Sequence, residues 1–599
     1  MLNGLKFIII LLLITVSGTT LAVHINHDRT GQVALLPYYT VNNNFITNFT
    51  VTNTTGKYKA VRVRLLDSRI GADLLNINLY LSPYDVWNAT LRMNPDTGLP
   101  NLITEDESCT YPAKVGLQAG IDLENPYTET TDADMTEGYV EIIEMGDVAD
   151  GAGPVLDGGF EAEIDAGGAA DGAINIAAGD RSIPTGLLHD ANGLPVDCSV
   201  VADAWEAGEV STSSINGFEP GSMGTSGVAQ DSGDSARPYD HTHNAGLLAP
   251  SGGINAYGIM INVATGSAFV QEGVHIDRYT TVAQHYLPDD PVHYRLPSLA
   301  SGNIQEAYIT NALGDGKKGD TLPLTEYDTG ALQYISPLPS VPMGSNPLPV
   351  AMVLSAVSVS APFFVVGGFP GDIHGETDIV LTFPMRKHGI FNGGALTNQL
   401  DANEAACVGS LGDGVSDGDA VTLPTLASVV QDFPHDGAGN LCTNAGFIDY
   451  DSQGFQLRLQ YRGYEEQEGL ISVGEPAPLL PPLEDVSQFD ISVSRSVNVI
   501  SANRRVGGNQ SVFFTPAQNV YDWMLDSRFQ AGWLKLSALS DYSSNQGITA
   551  LTEPGGGLGI GVSNTWTGVS VIGFSAMAAD IGPAQLGETI EFIRETSRE

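Results

Sequence analysis

His241 and His243 stand one residue apart, so an extended segment would carry both imidazoles on one side, where they could ligate zinc or copper. Asp240 lies beside them as a further ligand type, and Asn244-Ala245-Gly246 continues as a turn composition. Asp413, Asp417 and Asp419 offer a second ligand set, hard oxygens at a calcium-like spacing. They sit around Gly414-Val415-Ser416-Asp417-Gly418, which matches by letter the turn that exposes a nucleophilic serine in many hydrolases. That turn needs a buried strand before the serine and a helix after it. Here Gly409 to Asp413 and Gly418 to Ala420 flank the motif, so a glycine-rich loop is expected instead. The Asp147–Asp180 stretch is dominated by Gly, Ala and Asp but lacks the nine-residue calcium repeat, and is expected to be a long surface loop. His275, His285 and His293 follow one another at about ten-residue intervals, a spacing that suits interior or edge histidines and specifies no site.

Four cysteines, Cys109, Cys198, Cys407 and Cys442, suggest two disulfides rather than a metal cluster. Four cysteines permit three connectivities. Pairing in chain order, Cys109 with Cys198 and Cys407 with Cys442, is the expectation, each bond closing an irregular insertion. In the chain-entropy estimate each closure would stabilise the fold by roughly 3 to 5 kcal/mol.

The chain opens with one basic residue, Lys6, an apolar run from Phe7 to Val16, and small residues up to Ala22. This is the layout of a secretory leader cleaved after Ala22. Ala351 to Phe369 is the next most apolar stretch, and its Ser, Pro and Gly content favours a buried pair of strands over a membrane span. No transmembrane segment is therefore expected in the mature chain. The formal net charge of −44 repels nucleic acid and anionic lipid alike, so neither is an expected partner.

These residues must be positioned by strands. Val61, Val63 and Leu65 alternate with Arg62 and Arg64, and Leu75, Ile77, Leu79 and Leu81 alternate with Asn76, Asn78 and Tyr80. A period of two predicts two strands, each with one apolar and one wet face. Phe45 to Asn53 is rich in Phe, Thr and Val, and turn residues separate the segments. Such a sheet cannot hide its apolar face alone and is expected to pack on a second sheet. The same alternation predicts strands at Glu137–Met145, on both sides of Thr265-Gly266, at Asp378–Phe391, Gln456–Tyr461, Ile491–Val497, Gly532–Leu539 and Trp566–Phe574. Met93 to Thr131 is predicted as loop. Thr515 and Pro516 suit a helix cap and first turn, so one helix is predicted over Thr515–Phe529.

With 16% charged residues and 69 glycines, the chain is predicted to be mainly β, with two or more antiparallel β-sandwich domains, Ig-like or jelly-roll-like, carrying long acidic Gly-rich loop insertions. The expected organisation is a leader over 1–22, an N-terminal sandwich over 23–146, and an acidic insertion over 147–245 tied back by Cys198. A second β-rich region over 246–400, a disulfide-closed Gly/Asp loop over 401–445 and a C-terminal β-rich region over 446–599 follow.

Four phrases, LPYYTV from Leu36, NLYLSPYDVW from Asn78, EGYVEIIEMG from Glu137 and GLPVDC from Gly193 with Trp205 beyond, together resemble an uncharacterised family of secreted, β-rich proteins of Gram-negative bacteria. LTFPMRKH from Leu381 and the region around Trp533 extend the resemblance over most of the mature chain. It implies an all-β extracellular protein with paired cysteines and brings no catalytic residue. It also implies that the stretch from Asp147 is an addition peculiar to this chain.

The expected function is that of a secreted, non-enzymatic surface, interaction or extracellular assembly protein, at the cell surface, in the medium or in the periplasm. Expected partners are further copies of itself, the cell envelope or extracellular polymer. The alternatives are a secreted glycan-acting hydrolase or lyase using paired carboxylates, and a calcium- or metal-dependent binding module. No cofactor is expected beyond calcium at Asp413, Asp417 and Asp419.

Overall fold

The computed structural model describes residues 23–124, 131–148, 194–195, 198, 247–280, 288, 297–302, 304, 306–309, 331–334, 348–356, 358–365, 374–386, 455–465, 487–493, 495–503, 511–514, 520–524, 529–538, 566–567, 569–581, 584–595 and 597–598. These residues are mainly strand, arranged in several antiparallel sheets. Among them no helix is long and apolar enough to cross a membrane.

The amino-terminal strands are β1 (His24–Ile25), β2 (Val33–Thr40), β3 (Phe45–Asn53), β4 (Tyr58–Asp67), β5 (Asp73–Leu81), β6 (Val86–Met93), β7 (Pro100–Ile103), β8 (Cys109–Tyr111), β9 (Ile121–Asp122) and β10 (Glu137–Val148). Four more, β11 (Leu247–Leu248), β12 (Ile254–Asn262), β13 (Ala268–Glu272) and β14 (Val274–Asp277), join the same unit. One sheet runs β1-β14-β2-β10-β4-β5-β8, with β11 beside β10, and the other runs β13-β12-β3-β6-β7-β9. The alternation read in β4 and β5 places Val61, Val63, Leu65, Ile77 and Leu79 between the sheets, where Phe49, Val51, Trp87 and Leu91 of the facing sheet meet them. This first sandwich draws on residues 247–277 as well as on the 23–146 span.

The remaining strands are β15 (Glu306–Ile309), β16 (Ala331–Tyr334), β17 (Ser355–Ala356), β18 (Ser358–Phe364), β19 (His374–Thr382), β20 (Phe455–Glu465), β21 (Ser487–Val493), β22 (Val497–Asn503), β23 (Val520–Met524) and β24 (Phe529–Ala538). They are followed by β25 (Trp566–Thr567), β26 (Val569–Ser570), β27 (Ile572–Ile581), β28 (Ala584–Glu591), β29 (Ile593–Glu595) and β30 (Ser597–Arg598). Sheets β21-β20-β24-β18-β29 and β23-β22-β19-β27-β28 form a second sandwich over Val359, Phe363, Ile379, Leu381, Ile500 and Leu536.

The two sandwiches share a further core. Tyr38, Phe45, Tyr139, Met260 and Phe269 of the first meet Val380, Val499, Phe513, Phe574 and Ala576 of the second. Phe513 is its hub, with ring centroids 5.1 Å from Tyr38, 5.7 Å from Phe45, 5.1 Å from Phe269 and 6.2 Å from Phe574. Main-chain bonds from Ser496 to Arg69 (2.9 Å) and from Val497 to Ser68 (2.8 Å) reinforce the joint, as does the Arg495–Asp134 ion pair.

Asp378 of β19 holds Phe513 in place. Its carboxylate accepts from Ser511 Oγ at 2.5 Å and from the Phe513 backbone N–H at 3.0 Å. Asp67 does similar work at the end of β4, accepting from the N–H groups of Ile70 (2.8 Å), Gly71 (2.8 Å) and Ala72 (3.2 Å). Burial pushes both carboxyls up to about 6. Between their ordinary value and about pH 6 the native state therefore holds more protons than the unfolded chain, so stability falls as the pH rises through that window. Each site should contribute about 2–3 kcal/mol to the loss. Chemical denaturation at pH 4.5 and 7.5 is expected to show the difference, and Asp378→Asn to shrink it; an unchanged difference in that variant would refute the assignment.

Three expectations are corrected. Arg62 and Arg64 do not face water but are fully buried. Arg64 pairs with Asp73 at 3.3 Å and Glu141 at 3.5 Å and donates to the Pro297 carbonyl at 3.0 Å, because the far side of this sheet is covered too. The helix predicted over Thr515–Phe529 is replaced in its described part by β23, which pairs in parallel with β22. The alternating Val520, Tyr521 and Asp522 and the open edge of β22 outweigh a local cap signal. The predicted loop over Met93–Thr131 contains β7, β8, β9 and a short helix, Lys114–Ala119. Boundaries also move: β19 starts at His374 and ends at Thr382, so the predicted Asp378–Phe391 strand does not continue through Phe383–Arg386. Leu348–Val353 is helical before β17 and β18 begin, and Ile491–Val497 spans the end of β21, a bend and the start of β22.

Candidate functional site

His241, His243, Asp413, Asp417, Asp419, Cys407 and Cys442, together with the motif around Ser416, lie outside the described residues. Among the described residues no group of three or more His, Cys, Asp or Glu is arranged to hold a metal ion. Cys109 and Cys198 are bonded, with Cα atoms 5.1 Å apart. Cys109 sits buried in β8 at one end of the larger sheet, so the insertion is tied to that edge. His275 is buried on β14 and its Nε2 accepts from the Ala256 N–H at 3.0 Å, which fixes it as a structural acceptor. Burial lowers its pKa to about 4, so it stays neutral.

A first polar cluster lies within the larger sheet. Lys59 of β4 is completely buried, with its Nζ 2.5 Å from Glu144 Oε1, 2.7 Å from Asp147 Oδ1 and 3.0 Å from Ser251 Oγ. Asp147 Oδ2 takes Lys57 Nζ at 2.7 Å, and Glu144 also accepts from the N–H groups of Ser251 (3.1 Å) and Gly252 (2.7 Å). Burial and the neighbouring Asp147 charge push the Glu144 carboxyl up, while Lys59 and Lys57 outweigh burial and hold Asp147 down. Lys57, Lys59, Glu144 and Asp147 close on one another, and every carboxyl oxygen has a partner. The chemistry available here is structural: it clamps β4, β10 and the Ser251–Gly252 turn together.

Asp147 was expected to open a loop, yet it is the next-to-last residue of β10 and lies inside this cluster. Its pairing with Lys59 joins residues 88 apart, and no local pattern marks such a partner.

A second site lies where the sandwiches meet. A cleft of about 550 Å³ is walled by β13 and β14 on one side and by β27, β28 and β29 on the other. The walls touch at one end, where Thr589 Oγ1 donates to the Val270 carbonyl. Gly587 permits this approach, since a Cβ there would come within 2.6 Å of the Phe269 ring. Gly573, on the same wall as Gly587, has φ +150° and leaves room for the Val380 carbonyl, which a Cβ would meet at 1.9 Å. Gln271 is buried at the base, exchanging hydrogen bonds with the Tyr38 backbone.

The charged lining is unevenly partnered. Arg29, on the turn between β1 and β2, pairs with Glu272 across the mouth. Glu591 stands at the rim, where partial desolvation and then the Glu272 charge push its carboxyl above the ordinary range. Arg594 is partly buried in β29, and its Nη1 is enclosed without a hydrogen-bond partner. Burial lowers its guanidinium to about 10 against the opposing pull of Glu591, so it is charged at neutral pH. Arg594 also acts electrostatically on His27, whose pKa is lowered first by burial and then by this guanidinium. Sequence reasoning saw these residues only as a polar amino-terminal arm and a charged carboxyl-terminal end.

Comparison with protein-family models, curated proteins and solved structures finds no match to this chain.

Proposed function

We propose that the chain is an exported, non-catalytic binding protein that captures its partner in the cleft between two joined β-sandwiches. The observation that carries this is the cleft itself. Both sandwiches wall it, and the aromatic joint around Phe513 sets the distance between the walls. A pocket formed before its ligand arrives avoids the cost of ordering loops on binding, and domain junctions are where such pockets concentrate. Apolar Val270, Val274 and Phe574 share the lining with Arg29, Glu272 and Arg594, the mixture that gives a site both affinity and orientation. A secretory leader and the Cys109–Cys198 bond support a place outside the cytoplasm, with cell-envelope material or extracellular polymer as the partner.

Ala268 is exposed on β13 and lines the cleft, so Ala268→Trp should fill it without disturbing a core. The wild-type protein is expected to be retained by intact cells or by a panel of secreted polymers and peptides. The variant, with an unchanged melting temperature, is expected to bind roughly tenfold or more weakly. Equal retention of the two proteins would refute the proposal.

A second reading is favoured by one observation: Glu272, ion-paired to Arg29, lines the cleft together with Glu591, whose carboxyl is pushed up by partial burial and then by the Glu272 charge. That asymmetry is what a glycan-cleaving acid and base require. Scoring the same panel for bond cleavage distinguishes the two: turnover that is lost in Glu591→Gln establishes the enzyme.

A further inference from the structure

We propose that Lys59 and Asp147 condense with each other, joining β4 to β10 by an amide bond between their side chains, with Glu144 as the proton relay. The reacting groups are already in place. Lys59 and Asp147 stand directly opposite one another in the β4–β10 ladder, and the Lys59 Nζ lies 2.7 Å from Asp147 Oδ1. A register shift between Glu144 and Gly146 lets Glu144 reach the same nitrogen, its Oε1 at 2.5 Å. None of the three side chains is more than 1% exposed. Amine and carboxyl are thus held in contact with bulk water kept out, which replaces a chance encounter by a fixed one.

The neighbours divide the remaining work. Lys57 Nζ, 2.7 Å from Asp147 Oδ2, polarises the carboxyl and steadies the oxyanion that forms on attack. The Ser251 and Gly252 N–H groups hold Glu144 at 3.1 and 2.7 Å. Burial pushes the Glu144 carboxyl up against the pull of Lys59, the Asp147 charge adds to the rise, and the two carboxyls hydrogen-bond to each other. Glu144 therefore carries a proton beside the oxygen that must leave.

The Lys59 ammonium passes one proton to the Asp147 carboxylate, and the freed amine attacks Cγ. Glu144 then protonates the departing oxygen and takes a proton from the new C–N centre, the C–O bond breaks, and one water leaves. An ammonium and a carboxylate have become an amide and water, Glu144 ends as it began, and no further reactant is needed. The bond makes this clamp covalent at a chosen place: β10 ends one residue later, and the chain returns beside it at β11. It is independent of what the cleft binds.

Intact mass and peptide mapping of the full mature chain test the proposal. The wild-type protein, with disulfides allowed for, is expected to be lighter than its sequence by one water and to yield a branched peptide joining the Lys59 and Asp147 segments. Lys59→Arg and Glu144→Gln, each with native circular dichroism, should keep the full mass. Asp147→Asn should still condense but lose ammonia instead of water, a signature that neither an ion cluster nor a misfolded chain produces. A wild-type mass that stays unshifted after prolonged incubation of the folded protein overturns the proposal. So does a water loss that maps elsewhere, such as an imide at Asp150-Gly151, or one that persists in Lys59→Arg. Complete condensation in Glu144→Gln would overturn the relay. Freshly refolded protein, still at full mass, is the ion-paired state, and stability comparisons of this cluster refer to it.

Discussion

Lys59→Met is expected to destabilise the protein by about 3–5 kcal/mol, the cost of removing one partner from a buried ion cluster. The methionine fills nearly the same volume, so the loss is electrostatic rather than a cavity. Glu144 and Asp147 would be left facing each other with only the more exposed Lys57 to balance them. Denaturant midpoints measure the effect, and a second change discriminates its cause. Lys59→Met combined with Glu144→Gln removes one positive and one negative charge together and should recover a large part of the stability. If the double variant is no more stable than the single one, the cluster is held by packing and the electrostatic account is wrong.

The second large effect is expected at the joint. Phe513→Ala should cost about 3–5 kcal/mol, since it removes a fully buried ring and leaves a cavity among four aromatic neighbours. Phe513 carries no part of either sandwich core, so each half keeps its own packing. The unfolding transition is therefore expected to broaden or divide as the halves lose their coupling, which denaturation followed by tryptophan fluorescence and by circular dichroism would register as non-coincident curves. A loss below about 1 kcal/mol with coincident curves would mean that the main-chain bonds at Ser496 and Val497 hold the halves together unaided.

Much of the scaffold could be read from residue order because strands announce themselves locally. Val61, Val63 and Leu65 alternate with arginines, and Thr265-Gly266 marks a turn that the structure places between β12 and β13 with Gly266 at φ 75°. Alternation identifies two faces, however, and says nothing of what later covers them. Arg62 and Arg64 read as facing water because what buries them, such as the Pro297 carbonyl that takes Arg64, lies far along the chain. The same limit hid the cleft. Arg29 and Arg594 stand at opposite ends of the sequence, and each alone is an ordinary surface cation until the folded sandwiches bring them to one cleft. Val520 to Met524 shows the opposite failure. A proline and a threonine before it suggested a helix, and a neighbouring strand with an open edge decided otherwise.

β2 and β3 each depend on strands that the chain supplies late: β14 completes the margin of β2, and β12 that of β3. A nascent polypeptide emerging amino terminus first displays both margins bare until residues 254–277 follow, with the whole acidic insertion passing in between. Closure of the first half is thus slow and non-local, and for that interval the chain is prone to pair with its neighbours. A chaperone that shields extended segments would find its longest task here, and the high negative charge of the intervening residues would itself keep emerging copies apart.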